Sequence, residues 1–142
     1  MKKFFLILTI ITFNLFLALP AFSEESKYFI EAKKLYKKND LEGAKFLFEK
    51  DIVFNPKSEM SYFYLSKIFE RNENEDDQET NLNAALLLNP KNEEALFSLI
   101  ELKIKQSNFN EARKLKKQFK LICESFCSKE QDIEKKLKSL SP

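Results

Sequence analysis

Cys123 and Cys127 are the side chains whose type and spacing point most directly to covalent or metal chemistry. They stand four residues apart, a separation that a turn can close to bridging range of two Cα atoms. Two soft thiolates at this spacing also suit Cu(I), or a thiol–disulfide cycle. The remaining ligand supply is thin: there is no His, and the other sulfur atoms belong to Met1 and Met60. Without His there is neither Ser-His-Asp nor Cys-His catalysis, and no imidazole-bound metal. The acidic stretch from Glu70 to Glu79 is the second candidate, since hard cations take clustered carboxylates. It contains no Gly for the bend of a calcium loop, and Glu75, Asp76 and Asp77 are consecutive where such a loop alternates its ligands. The plainer reading is a solvated loop leading into a helix start, where acids complement the dipole. No nucleophile–base pair, phosphate loop or metal cluster is visible elsewhere, so no enzyme, cofactor or metal is expected.

The elements that position these residues are helical on composition alone. The chain has 142 residues with one Gly and four Pro, too little turn chemistry for a barrel or sandwich and enough length for one small core. Met1-Lys2-Lys3 is followed by a mostly apolar run, Phe4 to Leu19, then Pro20 and Ala21-Phe22-Ser23. That order has the build of a secretory signal, with a cut expected after Ser23. The run is shorter than the ~20 residues of a spanning helix, so no stable membrane insertion is expected after cleavage. No Cys precedes Cys123, which excludes a lipid-anchored lipoprotein. Residues 24–142 then carry 22 basic and 22 acidic side chains, a balance that argues against nucleic acid as partner. A bacterial periplasmic or secreted location is expected. In that oxidising compartment a structural Cys123–Cys127 bridge is the favoured pairing, with the metal or thiol-redox role as its rival.

Asn55-Pro56 recurs as Asn89-Pro90, so the numbering advances by 34 between them. At this period the chain divides into units 25–58, 59–92 and 93–122. Phe29, Phe63 and Phe97 occupy one position, Tyr28, Tyr62 and Leu96 the one before it, and Ala44 and Ala112 another. The first unit reads Tyr28, Ala32, Leu35, then Asn39-Asp40-Leu41 at a turn, Ala44, Phe48 and Pro56. The second keeps Tyr62, Leu65, Phe69, Leu82, Ala85 and Pro90; the third keeps Leu96, Leu99, Gln106-Ser107-Asn108-Phe109, Ala112 and Phe119. This pattern resembles the tetratricopeptide repeat, which implies an all-α, right-handed solenoid of three helix pairs. The residue types support the same fold independently. Small Ala32, Ala44, Ser66 and Ala112 permit close helix approach, Pro56 and Pro90 stop helices, and one pair cannot bury its stripe without neighbours.

Departures from the pattern are Gln78 and Asp51 at small-residue positions, and Lys103 and Lys116 at apolar ones, which predict looser packing in the third unit. A capping helix is expected over 128–140, started by a Ser128–Gln131 capping box and apolar along Ile133, Leu137 and Leu140.

The resemblance further implies that the first helix of each unit lines a concave groove. Mapped onto this chain, the groove residues are Phe29, Lys33 and Tyr36, then Phe63, Lys67, Glu70 and Arg71, then Phe97, Glu101, Ile104 and Lys105. Phe and charge sit four apart on one face, a ladder suited to an apolar and acidic segment. The family's carboxylate clamp requires Lys and Asn where Phe29 and Lys33 stand, so chaperone docking is not implied. The expected function is a non-enzymatic scaffold of the bacterial envelope that holds a partner polypeptide, as an extended segment or a helix. The alternative is a small thiol-redox or copper-handling factor.

Overall fold

The computed structural model describes residues 25–140, so the secretory-signal reading lies outside the described residues. Within them seven helices follow in order: α1 (Lys27–Lys37), α2 (Leu41–Phe54), α3 (Glu59–Arg71), α4 (Glu75–Leu88), α5 (Glu93–Lys105), α6 (Phe109–Ile122) and α7 (Lys129–Leu140). None of them is long and apolar enough to cross a membrane. Each helix packs on its neighbour in sequence, and α7 lies against both α5 and α6. This is the all-α stack of three helix pairs plus a closing helix, with the pairs on the units that the sequence period marks.

The turn inside each pair is one device used three times. Asn39, Glu73 and Ser107, at one position of successive units, take positive φ of 63°, 56° and 57°. The next residue donates its N–H to a carbonyl in the last turn of the helix before it: Asp40 to Leu35 O, Asn74 to Phe69 O, Asn108 to Lys103 O. The positive-φ residue itself donates to Tyr36, Glu70 or Ile104. This is the Schellman ending of a helix, here without glycine. The residue that completes it then caps the following helix. Asp40 accepts from the Gly43 N–H at 3.0 Å, Asn74 from Asp77 at 3.2 Å and Asn108 from Glu111 at 3.3 Å. One residue thus satisfies orphan groups on both helices, so the turn needs little else.

Between pairs, α2 and α4 stop at Phe54 and Leu88, ahead of Pro56 and Pro90. The Asn55 and Asn89 carbonyls then accept from Ser58 and Asn92 N–H at 3.0 and 3.1 Å. Ala32, Ala44, Ala85 and Ala112 are fully buried where helices approach. Phe48 stacks flat on Tyr64 at 5.0 Å in the first half of the core, and Phe119 anchors the second half with Ile100 and Ile133. Full burial of each Phe contributes about 1.5–3 kcal/mol.

Four expectations are corrected. Lys103 does not loosen the third unit: its side chain is buried, with its ammonium ion-paired to Glu79 and hydrogen-bonded to Gln106. Lys116 is likewise held by Glu134 of α7. The Ser128–Gln131 box is not made; the N–H groups of Lys129 and Glu130 instead reach the carbonyls of Phe126 and Cys127 at 2.8 and 3.1 Å. Ile133 and Leu137 are buried, whereas Leu140 is exposed because the helix ends beyond the stack it covers. Asp51 adds a feature that its residue type concealed. It is completely buried, accepting from the hydroxyls of Ser26 and Ser61, and so links the start of α1 and of α3 to α2.

Candidate functional site

The expected ladder of Phe residues is not a surface. Phe29 and Phe63 are 4% and 6% exposed, because their rings pack inward between pairs: Phe29 lies 5.8 Å from Phe48 and 6.0 Å from Tyr64. Phe97 is half-buried between Phe119 and Phe126 at 6.3 and 6.4 Å. Ile104 is also core. These apolar residues serve the interior first, because a three-pair stack has little other material to fill it, and Phe29 and Phe63 reach the surface only in the two clefts described below.

The charged partners do lie outside, and most are engaged locally. Lys33 pairs with Glu25 at 3.6 Å and sits 5.0 Å above the Phe29 ring. Tyr36 meets Tyr64 edge-on and lies beneath the Arg71 guanidinium at 4.8 Å, while Arg71 also donates to Asn39 at 3.0 Å. Lys67 pairs with Glu70. Glu101 is bound by Lys136 of α7, so the closing helix occupies that end of the face. Lys105 pairs with Glu75 at 2.9 Å, which raises the lysine's pKa above its ordinary value. The acidic stretch is therefore a capped helix start from which Glu75 and Glu79 turn to lysines of the next pair: Glu79 is held below the usual carboxylate range, foremost by Lys103. Among the described residues no group of three or more Cys, Asp or Glu is placed to hold a metal ion.

Two clefts recur at equivalent junctions. The first, with about 260 Å³ of space, is bounded by Ser26, Phe29, Ser58, Glu59 and Met60, with Glu25, Asn55 and Lys57 at its edge. The second, about 180 Å³, is bounded by Met60, Phe63, Asn92, Glu93 and Glu94, with Ser125 and Phe126 at its edge. Each of the first five, advanced by 34, gives one of the second five. Met60 borders both, so the clefts are adjacent. Phe29 and Phe63 reach only their floors. The polar rims are built firmly: Glu59 accepts from the Asn89 and Asn92 amides at 3.2 and 2.9 Å, and Asn92 caps α5 at Ala95.

Glu93 organises the far rim. Its carboxylate accepts from Phe126 N–H at 2.7 Å and from the N–H and hydroxyl of Ser125 at 3.3 Å each. The Phe126 bond is the main reason its pKa lies below the ordinary value. The loop so held is the one between Cys123 and Cys127, whose Cα atoms are 5.1 Å apart with the sulfurs at bonding distance. Sequence reasoning missed Met60, Asn92, Glu94 and Phe126 as rim residues. The repeat shift that maps Ser26 to Met60 and Met60 to Glu94 was the signal available.

The geometry matches solved structures. The first TPR of Spaghetti (RPAP3), bound to the HSP90 peptide SRMEEVD, superposes with a TM-score of 0.72 at 15% identity, over 81% of this chain and 91% of that one. The fold is tetratricopeptide-like. The type III secretion chaperone SycD of Yersinia enterocolitica, with a peptide of the translocator YopD, gives 0.71 at 13% identity over 80% and 89%. The CopN–Scc3 complex gives 0.65 at 16%, over 80% and 66%. No protein-family model and no curated protein matches the chain. At these identities the likeness speaks for the tetratricopeptide-like fold alone.

Proposed function

We propose that the chain is a non-enzymatic, exported scaffold of the bacterial cell envelope that binds an extended segment of a partner polypeptide. The observation that carries this reading is the pair of adjacent clefts sharing Met60. Two sites one repeat apart, each with an aromatic floor and a polar rim of Asn, Ser and Glu, suit successive apolar side chains of a strand-like segment. Solved tetratricopeptide-like structures that hold peptides support the same class of partner. The charged residues Lys33, Lys67, Arg71 and Lys105 serve in this reading as the outer rim. Location in the periplasm rests on the N-terminal sequence. The Cys123–Cys127 pair is read as a structural disulfide that holds the Phe126 rim, and alkylation of the unreduced protein should leave both sulfurs unmodified.

A photo-crosslinking amino acid at Glu94, an exposed cleft position, tests the function in cells, with Asn110 at the start of α6 as control. A discrete adduct at position 94 and none at 110 is the expected result. Equal labelling at both positions, or none at 94 in folded protein, overturns the cleft as binding site.

A further inference from the structure

The repeat period also falls on residues that neither the core nor the clefts use. Val53, Leu87 and Leu121 stand one repeat apart, at the same turn of α2, α4 and α6, and are 74%, 83% and 85% exposed. Phe54 and Leu88 beside them are exposed as well. Scattered exposed apolar side chains are ordinary, but an aligned row on stacked helices is not. At one end Phe54 stacks on Tyr28 at 5.4 Å, with Lys50 4.7 Å above the Tyr28 ring and 5.9 Å from exposed Phe46.

Lysines frame this row. Lys50 precedes Val53 by about one helical turn and Lys57 follows it, Lys91 follows Leu87 by four residues, and Lys117 precedes Leu121 by four. Lys57, Lys91 and Lys117 are exposed, with no ion pair to another described residue. Of the exposed acids within four residues of the row, Glu49 is paired with Lys45 and Glu124 follows Leu121; Lys57 also lines the first cleft beside Glu25 and Glu59.

We propose that this edge docks on an anionic lipid bilayer. Val53, Phe54, Leu87, Leu88 and Leu121 enter the headgroup region while the lysines meet lipid phosphates. Protruding aliphatic side chains suit a fluid phase that closes around them, and a frame of lysines and aromatic rings suits the interface between acyl chains and water. The second cleft then stays open for a polypeptide while the scaffold rests on the membrane, and Lys57 stands where the first cleft meets the membrane-facing edge.

The test uses residues 24–142, the chain after the expected cut, with Leu87→Cys labelled by an environment-sensitive fluorophore, and Lys37→Cys on α1 as control, both with Cys123 and Cys127 oxidised. Vesicles of phosphatidylglycerol with phosphatidylcholine are compared with phosphatidylcholine alone. Emission at position 87 should shift to the blue on anionic vesicles, with position 37 unchanged. Val53→Ser with Leu121→Ser should weaken the apparent vesicle affinity by about tenfold, and their exposure lets the fold survive, as circular dichroism checks. An unshifted label at 87 on anionic vesicles overturns the proposal, as do equal shifts at 37 and 87, which show adsorption without this edge facing the bilayer. A shift without vesicles, rising with protein concentration alongside a doubled mass in light scattering, overturns it in favour of a second copy.

Discussion

Phe63 shows how a residue's role depends on which way a helix faces. Its spacing from Phe29 and Phe97 suggests an exposed anchor, yet it lies in the core with Leu96, Leu99 and Phe119. Phe63→Ala is expected to destabilise the fold by about 3–5 kcal/mol, measured as a shift of the urea midpoint. A loss well below this range would show that the ring serves mainly as the cleft floor and adds little to the core. Asp51 is the opposite case, a polar residue taken into the interior. Two hydroxyl donors meet its carboxylate, and Ser61 is further bonded by Ser58 at 3.0 Å, so the group is buried without being orphaned.

At the scale of elements, α5 and the loop before α7 are joined by one carboxylate. Glu93 has its pKa lowered from 4.5, first by the Phe126 N–H and further by the Glu124 and Ser125 N–H groups. A depressed carboxylate contributes stability that is complete above its unfolded pKa and is lost as pH falls through the folded one. Protection of the Phe126 amide in hydrogen exchange should therefore fall as pH is taken below about 4.5. Glu93→Gln should lower that protection at neutral pH and remove most of its acid dependence. A pH profile unchanged by the substitution would show that other carboxylates set it.

For the whole molecule, a solenoid is held by contacts between neighbours, and its last pair has an open side unless capped. Here α7 supplies Ile133 and Leu137 to the core, and Lys116–Glu134 and Lys136–Glu101 tie its polar face to α6 and α5. Ending the chain at Ser128 should lower the melting temperature and expose apolar surface, read as increased binding of a hydrophobic dye. An unchanged melting temperature would show that α7 rides on a stack already closed. Because each interface is local, the loss should be greatest in α5 and α6 and smallest in α1.

The sequence by itself determined the helices, their pairing and their repeat. The periodic Asn-Pro steps, the small residues at helix approaches and the turn residues Asn39-Asp40 and Ser107-Asn108 are local signals, and each acts within a few residues of itself. The facing of each Phe was decided by tertiary structure alone. A helix of this stack has one neighbour within its pair and others in the next, so most of its circumference is a contact, and helical periodicity does not say which side meets solvent. The same holds for charge: Lys103 and Lys116 read as misfits until Glu79 and Glu134 are brought to them from other helices. The clefts and the Val53–Leu87–Leu121 row follow the period that the sequence displays. Their opening to solvent depended on what the stack buried first.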